Sequence, residues 1–173
     1  MVKLLQKKYK KPNRIVVLGS RGFVGSSIVQ ALKTRAISNL PISRKEINLL
    51  SKLQSTKLKK ILRNSDTLVI TSSIAPCKNI EDFQKNISMM KNICCNIKRK
   101  NLRQIIYISS DAVYSDSRKP LKEESCTSPN SFHGIMHLNR EFKLQDSINC
   151  HLCILRPTLI NMSLIHILTL PTS

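Results

Sequence analysis

The sequence predicts an α/β fold, a doubly wound parallel sheet, on three observations. Short apolar runs at residues 15–18, 67–71 and 104–108 have the composition of strands covered on both faces. Segments of helical period alternate with them, the order that right-handed crossovers between parallel strands require. The third observation is local. The chain has only four glycines, and three of them stand at i, i+3 and i+6 in Gly19-Ser20-Arg21-Gly22-Phe23-Val24-Gly25, directly after the first apolar run.

Residues 1–13 hold Lys3, Lys7, Lys8, Lys10 and Lys11 with no acid, and read as a basic arm. Residues 14–19 form the first strand, and a helix with Ile28, Val29 and Leu32 on its period follows from about residue 22 to 33. Between them the glycine stretch makes the strand–turn–helix of a Rossmann-type domain. The chain turns sharply at Gly19, and the missing Cβ at Gly22 leaves room for a pyrophosphate beside the backbone. The unpaired N–H groups and positive dipole end of the helix then face that anion. A second strand covers residues 39–43, weakened by Pro41. Its end distinguishes cofactors: an acid there accepts from a ribose 2′-hydroxyl, whereas Ser43, Arg44 and Lys45 suit a 2′-phosphate, a lean toward NADP over NAD.

Leu53, Leu58, Ile61 and Leu62 predict one surface helix with a buried stripe within residues 51–63. The third strand, 67–71, runs into Ser72-Ser73-Ile74-Ala75-Pro76, small residues past which a cofactor can run closely. A long helix spans about 80–100, with Phe83, Ile87, Met90, Ile93, Cys94 and Ile97 on one side. The fourth strand, 104–110, continues into Asp111-Ala112-Val113-Tyr114. A polar loop leads to a helix over 131–145, and a fifth strand at 152–156 closes on Pro157.

Composition bounds the function. With 41% hydrophobic residues the chain is not compositionally disordered, and its length suits one domain rather than two. No apolar run of about 18 residues is present, so no transmembrane helix is expected, and the lysines near the N-terminus interrupt any secretory signal. The cytoplasm is the expected location. The net charge of +19 invites a nucleic-acid partner, but it is spread from end to end and only 4% of residues are aromatic, which argues against a stacking platform. Cys150 and Cys153, three apart on an expected strand, point to opposite faces and read as buried or half-buried free thiols rather than as a metal or redox pair. No metal site is expected.

At this point the chain resembles the extended short-chain dehydrogenase/reductase group, and within it the NAD-dependent epimerase/dehydratase family that acts on nucleotide sugars. The matching segments are Gly19-x-x-Gly22-Phe23-x-Gly25, Ile108-Ser109-Ser110-Asp111-Ala112-Val113-Tyr114, Pro129-Asn130-Ser131-Phe132-His133-Gly134-Ile135-Met136-His137, and Leu155-Arg156-Pro157. They occur in the family's order over residues 14–160, the expected NAD(P)-binding domain. The resemblance implies a dinucleotide held by residues 19–25 and passing Ser43, Arg44, Ser72 and Ser73. It also implies a nucleotide-sugar substrate whose oxygen would receive a hydrogen bond from Ser110.

Two departures qualify the activity so implied. The family's Tyr-x-x-x-Lys pair falls on His133 and His137. Three readings of this pair stand open: a working replacement with His133 as general acid/base and His137 on the nicotinamide ribose, drift in a protein that binds nucleotide without turnover, or a metal grip with Glu141. The spacing lacks the His-Glu-x-x-His pattern, which argues against the last. The second departure is length: residues 161–173 form a divergent tail where family members continue into a substrate-binding portion. The sheet is therefore expected to expose an edge and an apolar face, as in a fragment, a truncated gene product or a chain that covers the surface by forming a homodimer.

Overall fold

A computed structural model of the protein describes residues 11–117 and 120–158. Most of the basic arm and all of the 161–173 tail lie outside the described residues. Five parallel strands form one sheet: β1 (Ile15–Leu18), β2 (Asn39–Ile42), β3 (Thr67–Ile70), β4 (Gln104–Ile108) and β5 (His151–Leu155), in the order β2-β1-β3-β4-β5. The register sets Leu18 beside Ile42 and Ile70, so β1, β2 and β3 end at one level. From β1 the chain crosses outward to β2 and then back to β3. The connections therefore diverge at the carboxyl ends of β1 and β3, leaving a crevice at the switch point.

Period-two alternation divides the sheet's side chains between two layers. Val16, Leu18, Leu68, Ile70, Ile105 and Tyr107 join the larger core, with Met90, Ile93 and Ile97 of α4 (Ile80–Ile97) and Leu144 of α5 (Phe132–Ser147). Val17 and Val69 face the other way, onto Val29 of α1 (Phe23–Thr34), with Ile28 and Leu32 half-buried around them. Helices thus cover both faces of the central strands, as the doubly wound reading requires. At the margin, β5 is half-buried or exposed along its whole length. Pro41 sits exposed on the opposite edge strand, where its missing N–H costs least.

The single helix expected over 51–63 is instead two short ones, α2 (Lys52–Ser55) and α3 (Lys57–Ile61). Thr56 turns its hydroxyl back to the Leu53 carbonyl at 2.7 Å and the helix restarts behind it. The restart moves Leu53 off the expected stripe, leaving it 81% exposed while Leu58 is fully buried. The cysteines also divide more widely than Cys150 and Cys153 alone implied: those two are half-buried, Cys77 and Cys94 are buried, and Cys95 and Cys126 are exposed, all as free thiols.

Two ion pairs fix the ends of the sheet. Below it, Arg14 grips Asp66 through two hydrogen bonds of 3.0 and 2.6 Å, and Asp66 also accepts from the Arg63 N–H. Above it, the buried Glu141 of α5 accepts two hydrogen bonds from Arg156, just past β5, at 3.1 and 2.6 Å, and a third from Ser109 at 2.5 Å. Arg156 also donates to the Tyr114 hydroxyl at 2.6 Å, with its guanidinium 5.0 Å from that ring's centre. These contacts bind α5 to β4, β5 and the 110–114 segment.

The glycine turn is packed tighter than any other side chain would permit. Gly19 has φ +88°, and a Cβ at Gly25 would stand 2.2 Å from the Gly19 carbonyl oxygen and 2.8 Å from Thr71 Oγ1. Gly25→Ala is therefore expected to lower the free energy of unfolding by roughly 2–3 kcal/mol. Urea denaturation checks this, with the midpoint falling and the slope unchanged.

Candidate functional site

A cleft of about 360 Å³ opens at the switch point. Gly19, Arg21, Gly22, Ser43, Arg44, Ser72 and Ser73 line it together, drawn from the carboxyl ends of β1, β2 and β3. The other residues of the loop have different places. Ser20 donates its N–H to the Ile42 carbonyl, Phe23 is exposed, and Gly25 lies buried beneath Gly19. Asn48, Leu49, Leu50, Ile74 and Met89 also line the cleft and were not anticipated from sequence.

The helix that starts at this cleft lacks the side-chain cap that α2, α4 and α5 carry. Ser51, Asn79 and Ser131 cap α2, α4 and α5 with their side chains. At the start of α1, Gly22 supplies no side-chain cap, and no acid lies in the first turn. The N–H groups and positive dipole end of this twelve-residue helix are thus left for an anion from outside. Ser72 Oγ, buried beside the cleft, has no hydrogen-bond partner, so the wall also holds an unused polar group. The donor set, the glycine cradle and the small residues after β3 fit a dinucleotide.

On the adjoining side, α5 presents His133 and His137 one turn apart, their rings edge to face at 4.7 Å. His133 Nδ1 accepts the Cys77 N–H at 3.3 Å. An accepting ring nitrogen carries no proton, so His133 is neutral here with its hydrogen on Nε2. Adding a proton at Nδ1 would set one N–H against another. Burial holds its pKa below the ordinary value, with Asp111 opposing. His137 is 5% exposed, and its Nδ1 lies 2.8 Å from the Tyr107 hydroxyl. Burial, then the charge of Arg140 and the repulsion that a protonated His133 would add, push the His137 pKa down to about 3. Burial likewise pushes the Tyr107 phenol up to about 12. Around neutrality Tyr107 therefore donates and His137 accepts, which places the imidazole proton on Nε2.

Ser110, the remaining expected catalytic residue, bonds to neither histidine. Its Oγ caps the 111–113 turn by accepting the Ala112 N–H at 3.2 Å, and it donates to Asp111 at 3.2 Å. Glu141 is turned to Arg156 and Ser109 rather than toward the histidines. Among the described residues no group of three His, Cys, Asp or Glu side chains could hold a metal ion.

The fixed positive charge of this region belongs to Arg140, one turn beyond His137 and completely buried. Its guanidinium donates to the Ser72 carbonyl at 2.7 Å and lies 5.2 Å from the centre of the Tyr107 ring. Its further contacts are Asn86 Oδ1 at 3.5 Å and Met136 Sδ at 3.8 Å, and its Nε has no partner. A positive charge thus sits under the cleft wall with neutral acceptors around it. Nothing in the spacing Tyr-x-x-x-Lys pointed to position 140. The one available signal was an arginine on the apolar side of a helix.

Comparison with known proteins places these features in context. The description of the NAD dependent epimerase/dehydratase family matches residues 15–160. No curated protein matches the sequence. Among solved structures, UDP-glucose 4-epimerase from Thermus thermophilus, in complex with NAD, superposes with a TM-score of 0.73 at 18% identity, covering 83% of this chain and 54% of that one. A dTDP-4-dehydrorhamnose reductase from Clostridium acetobutylicum gives 0.71 at 20% identity, covering 83% and 52%. UDP-glucuronic acid 4-epimerase from Bacillus cereus, in complex with NAD, gives 0.68 at 22% identity, covering 84% and 56%. The chain spans about half the length of these proteins.

The buried histidine predicts a pH effect on stability. Its folded pKa is depressed, so the unfolded chain binds the proton more readily, and stability is full above about pH 6.5 and lost as pH falls toward 3. The slope expected from this one group is about 1.4 kcal/mol per pH unit within that window. His137→Leu should flatten the wild-type curve between pH 6 and 4 by about that slope, read by urea denaturation at each pH.

Proposed function

The chain belongs to the NAD dependent epimerase/dehydratase family, and from that premise we propose that it binds a nicotinamide dinucleotide at the switch-point cleft without using His133 and His137 as a proton relay. The observation that carries the binding is the uncapped start of α1 behind a glycine turn that has no room for a Cβ at Gly25. Residues 19–25 would hold the pyrophosphate, Ser72 and Ser73 would border its path, and Arg21, Ser43 and Arg44 would meet the adenosine ribose. The two arginines favour a 2′-phosphate, hence NADP over NAD. Bound there, the dinucleotide would supply hydride chemistry at its nicotinamide ring.

The proton half of such chemistry is what the histidines are poorly set to provide. A general acid/base must gain and lose a proton near working pH. His133 would have to give up its bond from Cys77 to do so, and His137 is held neutral by burial and by Arg140. This favours a dinucleotide-dependent binding or sensing role. The alternative reading is an oxidoreductase acting on a nucleotide sugar, in which His133 Nε2–H serves as a fixed neutral donor to the substrate oxygen beside Ser110. It draws on the NAD complexes and sugar-nucleotide names of the solved structures.

Titration with NADH and NADPH, followed by nicotinamide fluorescence, is the test. At least one should bind with Kd below about 1 mM, and absence of binding by both at that level would refute the proposal. Gly22→Asp separates binding from folding, because a Cβ at Gly22 approaches only the Gly19 carbonyl oxygen, at 3.3 Å. The added carboxylate should weaken the dinucleotide at least about tenfold by charge repulsion while leaving the urea midpoint near the wild-type value. Turnover of a nucleotide sugar that disappears in His133→Phe would instead support the alternative.

A further inference from the structure

The fold sorts the charge that runs through the whole sequence. In a parallel sheet every crossover helix returns its carboxyl end to the amino ends of the strands. Cations of this chain collect at those helix ends. Lys59 and Lys60 lie in the last turn of α3, with Arg63 in the connection to β3. Lys98, Arg99 and Lys100 follow α4 in succession. The two groups are joined: Lys100 Nζ donates to the Leu62 carbonyl at 3.0 Å, and the Ser65 N–H donates to the Asn101 carbonyl at 2.8 Å. Arg103, immediately before β4, donates to the Lys11 carbonyl at 3.0 Å, so the chain that carries Lys3, Lys7, Lys8 and Lys10 joins the sheet at this same end.

Acids are scarce there. Among the described residues they are Asp66, buried and paired with Arg14, and Asp146, exposed in the last turn of α5. Glu46, Glu81, Asp82 and Asp111 stand instead past the carboxyl ends of β2, β3 and β4. Lys59, Lys60, Arg63, Lys98 and Arg99 are exposed and enter no ion pair among the described residues. One cation at a helix carboxyl end complements the dipole. Three in succession after α4, beside three around the end of α3, exceed that need. Next to them Asn101, Arg103, Asn149 and His151 line a cleft of about 380 Å³ between the starts of β4 and β5.

We propose that this amino end of the sheet binds the phosphate backbone of a nucleic acid. Lysines and arginines without ion pairs suit a repeating anion, whose condensed counterions are released as its phosphates are neutralised. Asn101 and Asn149 add amide donors for phosphate oxygens. Such contact needs no aromatic platform, so the low aromatic content bears on base stacking and not on this surface. An anionic membrane is the poorer fit, because none of the exposed large apolar side chains falls within residues 57–66 or 98–103 to enter a bilayer. The dinucleotide cleft opens at the opposite, carboxyl end of the strands, so the two sites stand independently of each other.

The experiment follows binding of the full chain to labelled single-stranded RNA and to duplex DNA, each about 20 nucleotides long, by fluorescence anisotropy over a range of salt. At about 50 mM salt the wild type should bind at least one of them with Kd below about 10 μM, and affinity should fall steeply as salt rises. The triple variant Lys60→Gln, Arg63→Gln, Arg99→Gln should weaken binding about tenfold or more. For DNA it should also reduce the slope of log K against log salt by roughly two to three. A matched triple at the other end, Lys52→Gln, Lys78→Gln, Lys122→Gln, should stay within about threefold of the wild type. Equal losses in both triples would mean that net charge alone attracts the polyanion, and would overturn the assignment. Absence of binding to both nucleic acids at about 50 mM salt would overturn it as well, as would preference for phosphatidylserine vesicles over both. Thermal midpoints near the wild-type value show that both triples fold.

Discussion

The space between Gly19 and Gly25 is the constraint on which the site depends. With no Cβ at residue 25, α1 approaches until its first turn rests on the Gly19 carbonyl and Thr71, and Thr71 in turn donates its hydroxyl to the Leu18 carbonyl at 2.8 Å. One close contact therefore joins β1, β3 and α1. It also aims the uncapped end of α1 across the carboxyl ends of the strands, where the sheet's topology has opened the crevice. A single methyl group at position 25 would move the helix and the dipole end together.

A second anchor sets the opposite wall. Glu141, inaccessible to solvent, has its charge met by Arg156 and its remaining capacity by Ser109, so α5 is held to β4 and to the chain leaving β5. That clamp places His133 and His137 beside the turn that starts at Ser110. It leaves Arg140 buried next to Ser72 with no carboxylate among its partners. In a chain of net charge +19 the local effect is specific: the cation on α5 is one turn beyond the position the family pattern assigns to lysine, and it adds to burial in holding the His137 pKa down. The wall thus offers positive potential to an anionic ligand, while burial holds both histidines below their ordinary pKa.

Much of this was legible in the residues, and the reasons are physical. Parallel strands covered on both faces must be apolar runs, which is why β1, β3 and β4 stood out. The glycine turn stood out because few other residues can pack as it does. The short helices α2 and α3 did not, since a hydroxyl returned to the Leu53 carbonyl breaks a period that leucine spacing alone suggests. Proton positions were equally hidden. Two histidines at i and i+4 announce proximity, but their tautomers are set by Cys77 and Tyr107, which are distant in sequence.

The four glycines also make the central claim directly measurable, because their amides form a small and separable set in a ¹H–¹⁵N spectrum. ADP-ribose, which carries the adenosine and pyrophosphate but no nicotinamide, should shift the signals of Gly19, Gly22 and Gly25 and leave Gly134 on α5 nearly unmoved. Loop glycines that stay in place at saturating ADP-ribose, NADH and NADPH would contradict a dinucleotide cleft at the start of α1.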